Sequence, residues 1–101
     1  YFDINDSSPV MMRNVDVLEK NLVAIRHIDG TARVQTVNNK QNRKLYKLLL
    51  EVDIMTGYPV LLNTSFNRPG EPIVESPDNA LSSFAKGCLD YLFIGNYLIS
   101  R

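Results

Sequence analysis

An amphipathic helix that ends at a glycine and leads into a purely apolar run limits the fold more than any other feature of this chain. Between residues 41 and 56, apolar side chains recur at spacings of three and four, which predicts a helix capped by Asn38 or Asn39. Gly57 ends that helix. The apolar run 60–62 then predicts a strand buried on both faces. A helix followed by such a strand favours an α/β fold.

The rest of the chain alternates between predicted strands and helices. Ser76-Pro77-Asp78 begins a second helix, because serine caps a helix well and proline fits its first turn. The apolar face of this helix comprises Ala80, Leu81, Phe84, Ala85 and Cys88. The other predicted elements are strands at 10–12, 22–28, 31–37 and 90–98, the last broken at Gly95-Asn96, and a helical turn after Asn14. We therefore predict one α/β domain over 1–101, with helices and a mixed, largely parallel open sheet.

Composition excludes several classes of protein. The 101 residues include 11 Lys+Arg and 11 Asp+Glu, so the chain lacks the positive charge that binding to nucleic acid requires. One cysteine and one histidine cannot form a zinc cluster. No apolar run reaches the roughly 18 residues that span a membrane, and residues 1–8 do not form a signal peptide. We expect a cytoplasmic location. Because the chain starts at Tyr1 without an initiator Met, we also expect a fragment of a longer protein.

Residues 27–35 form the first segment that is rich in polar groups. Asp29-Gly30 predicts a turn, and the strand that follows places Arg33 and Gln35 on the same face. The planar guanidinium of arginine suits phosphate or carboxylate. The same pattern is typical of a hairpin whose outer face is solvated, and the spacing does not choose between the two.

Residues 63–70 form the second such segment. They follow the predicted buried strand, and ligands of open α/β sheets bind where strands end in loops. The segment brings together four hydrogen-bonding side chains, those of Asn63, Thr64, Ser65 and Asn67. Such a cluster could hold a phosphate or a ribose hydroxyl, but it is equally typical of a polar turn.

Other candidate residues carry weaker signals. His27 is the only histidine and could act as an acid or base, although a lone histidine beside apolar residues is more often structural. Cys88 is expected to be a small core residue. A basic helix face could attract polyanions or be simply solvated, and it comprises Lys40, Arg43, Lys44 and Lys47.

The two polar segments together resemble a known family. Residues 27–37 match the pattern His-x-Asp-Gly-Thr-x-Arg-x-Gln-x-Val. Residues 60–74 match Val-Leu-Leu-Asn-Thr-Ser-Phe-Asn-x-x-Gly-Glu-Pro-Ile-Val. Both resemble signatures of the carbamoyltransferases that modify nodulation factors and antibiotics. The resemblance covers nearly the whole chain, and it implies the later half of a carboxy-terminal, YrdC-like domain.

This resemblance implies a function and a set of site residues. In the family, the YrdC-like domain makes carbamoyl adenylate from carbamoyl phosphate and ATP. Arg33 and Ser65 would be catalytic, with Arg33 in contact with phosphate. Asn63, Thr64 and Asn67 would join them in binding the nucleotide or carbamoyl phosphate. No residue of this chain is expected to bind a metal.

The resemblance also implies cofactors and partners. Magnesium would accompany ATP, while iron or another metal belongs to an amino-terminal, Kae1-like domain that transfers the carbamoyl group in cis. Because that domain and the upstream Arg and Lys residues of the YrdC-like domain are absent, we expect the isolated chain to be inactive. Removal of half of an α/β domain should also expose sheet edge and apolar surface, so we expect the chain to self-associate. Two other functions remain open, namely a nucleotide-binding module without chemistry and a scaffold segment whose basic helix mediates assembly. No nucleic-acid or membrane partner is expected.

Overall fold

The computed structural model describes all residues, 1–101, and divides them into two compact units. The first unit comprises Tyr1–Leu62 and the second comprises Asn63–Arg101. Each unit contains one α-helix and one two-stranded antiparallel sheet. Only five apolar residues in the chain are buried, so each unit depends on a few packing contacts and on local hydrogen bonds.

A β-hairpin organises the first unit. Strand β1 (Arg13–Asp16) pairs antiparallel with β2 (Thr31–Val34). Because successive side chains of a strand point to opposite faces, Ala32 and Val34 are buried while Arg33 is exposed. The connection between the strands contains a short 3₁₀ helix, Val23–Ile25. The hairpin thus fixes which side chains of residues 31–34 face solvent.

A buried serine ties the segment before β1 to the end of β2. The Ser8 side chain donates to the carbonyls of Val10 (3.0 Å) and Val34 (3.3 Å). Its backbone N–H donates to the Thr36 hydroxyl at 2.8 Å, and its carbonyl accepts from Thr36 N–H at 2.7 Å. Since every polar group of Ser8 has a partner, its burial carries no desolvation penalty that is left uncompensated.

Helix α1 (Arg43–Thr56) has defined caps at both ends. The Asn42 side chain accepts a hydrogen bond from Leu45 N–H at 3.0 Å, which satisfies one of the free N–H groups of the first turn. Gly57 ends the helix with φ of 77°, a left-handed conformation that glycine adopts without strain. The predicted end is confirmed, whereas the predicted caps Asn38 and Asn39 are wrong by three or four positions. Asn38 instead closes the preceding turn by accepting from Lys40 and Gln41 N–H.

The second unit contains helix α2 (Pro77–Lys86) and a hairpin of β3 (Tyr91–Ile94) and β4 (Tyr97–Ser100). The predicted helix start is confirmed, because the Ser76 hydroxyl accepts from Asn79 N–H at 3.1 Å and Pro77 is the first helical residue. The strands are joined by a two-residue turn, in which Gly95 has φ of 59°. Such short turns with positive φ match the twist of an antiparallel pair.

The core of the second unit lies between α2 and its hairpin. Ala80, Phe84 and Leu92 are buried, and partly buried neighbours complete the cluster: Phe66, Val74, Ile94 and Ile99. Arg101 covers the end of the helix. Its guanidinium lies 5.7 Å from the centre of the Phe84 ring and donates to the carbonyls of Phe84, Ala85 and Gly87. The Phe84 carbonyl also accepts from Gly87 N–H at 3.2 Å, so Arg101 supplements this backbone hydrogen bond at the carboxy-terminal end of α2.

Hydrogen bonds from side chains and from the backbone close the loop that leads to α2. Asn67 Nδ2 donates to the Glu71 carbonyl at 3.0 Å, and Val74 N–H donates to the Phe66 carbonyl at 3.0 Å. Arg68 binds the Glu71 carboxylate through Nε (3.0 Å) and Nη2 (2.5 Å). This two-point contact lowers the pKa of Glu71 below its ordinary value, against a smaller opposing effect of desolvation.

The prediction of a largely parallel open sheet is wrong, although the small α/β character is confirmed. Both sheets are two-stranded and antiparallel. The predicted strand over 90–98 is a hairpin, because the turn at Gly95-Asn96 reverses the chain. The predicted buried strand over 60–62 does not form. Val60 N–H donates to the Tyr58 carbonyl at 2.8 Å, and Pro59 has no N–H to contribute to a sheet.

Most of the strands and the helical turn predicted for the first unit also differ from the structure. Residues 10–12 form a tight turn, in which Met12 N–H donates to the Val10 carbonyl, and the strand begins at Arg13. The predicted helical turn after Asn14 is also wrong, since Asn14 pairs with Arg33 in the hairpin. The predicted strand over 22–28 contains the 3₁₀ helix instead. The strand predicted over 31–37 is confirmed for its first four residues. In each case, the geometry of the neighbouring chain overrides local propensity.

We expect Asn42→Ala to lower the free energy of unfolding by about 1 kcal/mol, because it removes the side-chain acceptor at the start of α1. Urea unfolding followed by circular dichroism measures this loss. Asn39→Ala is the matched control, since the exposed Asn39 side chain makes no hydrogen bond. Equal losses in the two variants would contradict the assignment of Asn42 as the cap.

A second prediction concerns the pH dependence of the stability that the ion pair between Glu71 and Arg68 contributes. Its pKa is lower in the folded chain than its ordinary value of 4.5, so its ion pair with Arg68 stabilises the fold fully above that pH. This contribution is lost as the pH falls through the lowered pKa. We therefore expect wild type to lose more stability than Glu71→Gln between about pH 7 and about pH 3 in urea unfolding. Glu75→Gln, which removes an exposed carboxylate without an ion pair, should retain the wild-type loss. Parallel pH profiles for wild type and Glu71→Gln would refute the prediction.

Candidate functional site

The turn over residues 27–31 precedes the strand that carries Arg33. His27 N–H donates to the Thr31 carbonyl at 2.7 Å, and Gly30 N–H donates to the His27 carbonyl at 3.0 Å. Gly30 has φ of 89°, which strongly favours glycine at this position. The Gly30 carbonyl also accepts from Val17 N–H at 3.1 Å, which joins the turn to the residue after β1. The predicted turn at Asp29-Gly30 is therefore confirmed and its backbone is held at both ends.

Three side chains of this turn form a hydrogen-bond chain. The Thr31 hydroxyl donates to Asp29 Oδ1 at 2.8 Å and lies 3.1 Å from His27 Nδ1. Thr31 N–H donates to the same Asp29 oxygen at 3.0 Å. The backbone hydrogen bond from Thr31, followed by that from its hydroxyl, lowers the pKa of Asp29. Asp29 is therefore an ionised acceptor at neutral pH, and the exposed His27 ring is oriented by Thr31.

Arg33 lies in the middle of β2 on the outer face of the hairpin. Its side chain is exposed and makes no hydrogen bond or ion pair with the rest of the chain. Asn14 lies opposite it in register on β1. Gln35 is also exposed, and its side chain donates to the Pro9 carbonyl at 3.0 Å. Arg33 and Gln35 are thus both exposed, and all five donors of the Arg33 guanidinium are available to an anion.

The predicted loop residues fall into two groups within the second unit. Asn63, Thr64 and Ser65 are exposed, and the Thr64 and Ser65 hydroxyls make no hydrogen bond within the chain. Asn67 is partly buried and closes the loop through the Arg68 and Glu71 carbonyls. Thus Thr64 and Ser65 present free hydroxyls, whereas Asn67 has a structural task within the loop.

Arg33 and the four loop residues belong to different units of the chain. Arg33 lies in Tyr1–Leu62, while Asn63, Thr64, Ser65 and Asn67 lie in Asn63–Arg101. The roles predicted for these five residues in binding and catalysis remain predictions.

The second unit also carries an open groove of about 280 Å³ that differs from the predicted site. Its lining is mainly apolar and includes Phe66, Val74, Pro77, Ala80, Leu92 and Phe93. None of the four predicted polar residues lines it. The groove therefore suits an apolar group and offers no cation for phosphate.

Other residues with reactive or charged side chains form no further site. Cys88 is exposed, which corrects the prediction that it belongs to the core, because α2 ends at Lys86 and its next residues turn outward. No group of three or more His, Cys, Asp or Glu side chains could hold a metal ion. The four basic residues at the start of α1 are exposed. Neither helix is long and apolar enough to cross a bilayer.

Sequence reasoning missed the function of Thr31. It interpreted Asp29 only as a turn residue and His27 as an isolated ring. The signal was present in the spacing, since an Asp side chain often accepts from the N–H two residues later and a Thr at that position brings its hydroxyl to the same oxygen.

Comparison with known proteins identifies the family. Residues 1–101 match the family described as Carbamoyltransferase C-terminus. Nodulation protein NolNO of Sinorhizobium fredii is 42% identical over 107 residues, which covers all of this chain and 16% of that protein. Nodulation protein NolO of Bradyrhizobium diazoefficiens is 39% identical and covers all of this chain and 20% of its own length. An uncharacterized protein of Methanocaldococcus jannaschii is 41% identical over 93% of this chain and 19% of its own length.

The chain thus spans a fifth or less of the length of these relatives. The match extends over both units and includes the turn, strand and loop described above. The chain belongs to the carbamoyltransferase C-terminal family.

Proposed function

We propose that this chain is the part of an O-carbamoyltransferase that binds ATP and carbamoyl phosphate for the formation of carbamoyl adenylate. The observation that carries this proposal is Arg33, an exposed cation without an internal partner, held on a strand that the 27–31 turn fixes in place. Arg26 is also exposed and unpaired, and what distinguishes Arg33 is its position in the paired strand β2, within the motif of residues 27–37.

The chemistry of adenylation calls for such a group. Carbamoyl phosphate first loses its phosphate to water as inorganic phosphate, which leaves carbamate. An oxygen of carbamate then attacks the α-phosphorus of ATP, pyrophosphate leaves, and negative charge develops on the phosphoryl oxygens. Fixed donors stabilise this charge best when they do not need to reorganise as it forms. Because Arg33 lies in a paired strand, its backbone position is set before a ligand binds, and its forked donors can bind two phosphate oxygens at once.

The exposed loop residues supply the second half of the proposal. Thr64 and Ser65 have hydroxyls that could donate to a phosphate or a carbamoyl oxygen without breaking an internal hydrogen bond. Ser65 would share the catalytic role with Arg33, and Asn63 would help to hold the nucleotide. Asn67 would support them indirectly, since its side chain closes the loop in which they lie.

Magnesium enters this proposal as part of the substrate. The chain has no cluster of carboxylates that would hold a dedicated ion, so Mg²⁺ would arrive bound to the ATP phosphates. Transfer of the carbamoyl group, with iron or another metal, would belong to an amino-terminal domain of the same longer protein. The size of the relatives, of which this chain covers 16 to 20%, supports that division.

In the longer protein, Arg33→Ala should reduce carbamoyl-phosphate-dependent release of pyrophosphate from ATP by about ten- to a hundredfold, because a charge-assisted hydrogen bond contributes about 1.5–3 kcal/mol. Arg33→Lys should recover part of the activity, since it restores charge without the fork. Arg26→Ala removes another exposed, unpaired arginine and should have no effect. An Arg33→Ala enzyme with wild-type rates would refute the proposal. Wild-type binding of ATP without any release of pyrophosphate would indicate a nucleotide-binding module instead.

The isolated 101-residue chain should be inactive. It carries Arg33 but lacks the further cations that the family supplies from other segments, and adenylation needs several charges to be neutralised together. A pyrophosphate-release assay with ATP, Mg²⁺ and carbamoyl phosphate measures this directly, with the longer protein as the positive control. Turnover by the isolated chain at a rate near that of the longer protein would contradict the expectation.

A further inference from the structure

The function proposed above makes no use of the hydrogen bonds that link His27, Thr31 and Asp29 in the 27–31 turn. His27 Nδ1 lies 3.1 Å from the Thr31 hydroxyl, which lies 2.8 Å from Asp29 Oδ1. All three residues are at the surface, and the backbone of the turn is already closed by His27 N–H and Gly30 N–H. The backbone of the turn would therefore close without the imidazole ring, so closure of the turn does not account for the contact between His27 and Thr31.

The tautomer of the His27 ring follows from the hydrogen-bond donors and acceptors beside it. Asp29 is ionised at neutral pH, since its ordinary pKa of 3.8 is lowered further by two Thr31 donors, and an ionised carboxylate only accepts hydrogen bonds. The single hydrogen of the Thr31 hydroxyl therefore points to Asp29. The hydroxyl oxygen can then only accept from His27, so the proton of the neutral imidazole lies on Nδ1. The hydrogen bond made by one ring nitrogen thus sets the state of the other.

This arrangement leaves His27 Nε2 as an unprotonated acceptor. The ring is exposed, so Nε2 is accessible to a ligand. A free histidine in water favours the opposite tautomer, with its proton on Nε2. The Asp29–Thr31 pair consequently converts the outer nitrogen of His27 from a donor into an acceptor while it also holds the ring plane.

Thr31, the residue that orients the His27 ring, lies on the same face of the hairpin as Arg33. Thr31, which holds the ring, and Arg33 are alternate residues of β2, so their side chains leave the strand on one side with about 7 Å between their Cα atoms. Asn14 and Asp16 lie opposite them on β1. The charged groups around the ring on this face are therefore Asp16, Asp29 and Arg33. The face combines a forked cation with a fixed neutral acceptor.

We infer that Nε2 of His27 accepts a hydrogen bond from an N–H or O–H group of the same phosphate-bearing ligand that Arg33 binds through its anionic oxygens. The inference rests on the proposed function and assigns a second ligand contact to its site. Two ligands of that function carry such a donor beside a phosphate, namely carbamoyl phosphate through its amide and ATP through its ribose hydroxyls. A phosphate without a nearby donor satisfies Arg33 but not His27.

The tautomer is tested first, by ¹⁵N NMR of the 101-residue chain at about pH 8.5, where a histidine ring is neutral. His27 is the only histidine, so its ring signals need no assignment. We expect the proton on Nδ1 in wild type, a shift toward Nε2 in Thr31→Val, and return to Nδ1 in Thr31→Ser. Asp29→Asn provides a second route, because it removes the obligatory acceptor and should also release the ring. A wild-type ring with its proton mainly on Nε2 would overturn the inference.

The ligand contact is tested in the same chain with matched pairs of probes. Carbamoyl phosphate is compared with acetyl phosphate, which has no N–H group, and ATP with inorganic triphosphate, which has no ribose. We expect every phosphate that binds to shift the Arg33 Nε signal. Only a probe whose N–H or O–H group donates to His27 should also shift the His27 Nε2 signal. His27→Phe should weaken binding of that probe about two- to tenfold and leave its control unchanged.

The outcomes separate the inference from the proposed function. If carbamoyl phosphate and ATP shift Arg33 but neither shifts Nε2 beyond its control, the His27 contact is refuted and the proposed function stands. If none of the probes shifts Arg33, the ligand contact is refuted, whatever the tautomer, while the proposed function is decided separately by pyrophosphate release from the Arg33→Ala variant of the longer protein. A selective Nε2 shift with carbamoyl phosphate assigns the contact to the carbamoyl amide, and one with ATP assigns it to a hydroxyl or amino group of the nucleoside.

Discussion

The antiparallel pairing of β1 with β2 determines most of what the first unit can do. It fixes the register of Asn14 with Arg33 and of Asp16 with Thr31, and it divides residues 31–34 between a buried and an exposed face. If the register shifted by one residue, Arg33 would point inward and would be a buried charge without a partner. The buried Ser8 and the glycine turn before β2 both oppose such a shift, because each has hydrogen-bond partners defined by this register.

Features that depend on local sequence could be predicted. The end of α1 at Gly57, the start of α2 at Ser76-Pro77 and the turn at Asp29-Gly30 each follow from the backbone preferences of one or two residues. The exposure of Arg33 followed from the alternation of side chains along a strand. The membership of the carbamoyltransferase family followed from two long motifs, which carry far more information than any periodic pattern.

Features that depend on distant neighbours could not be predicted in this way. A run such as 60–62 is apolar enough for a buried strand, but it becomes one only when other strands lie on both sides of it. Pro59 and the tight turn at Val60 remove it from any such pairing. The parallel sheet was predicted from the order of elements, yet each strand pairs with a single antiparallel partner. The side-chain chain from Asp29 to His27 was hidden because it arises from the turn geometry and not from the residue types alone.

Arg101 links the last strand of the second unit to the end of α2. Its guanidinium donates to the carbonyls of Phe84, Ala85 and Gly87, and it also lies over the buried Phe84 ring. If β4 separates from β3, these carbonyls lose the Arg101 donor and the Phe84 ring loses its cover at the same moment. The helix and the hairpin should therefore open as a single cooperative unit, with the same free energy of opening for the protected amides of both.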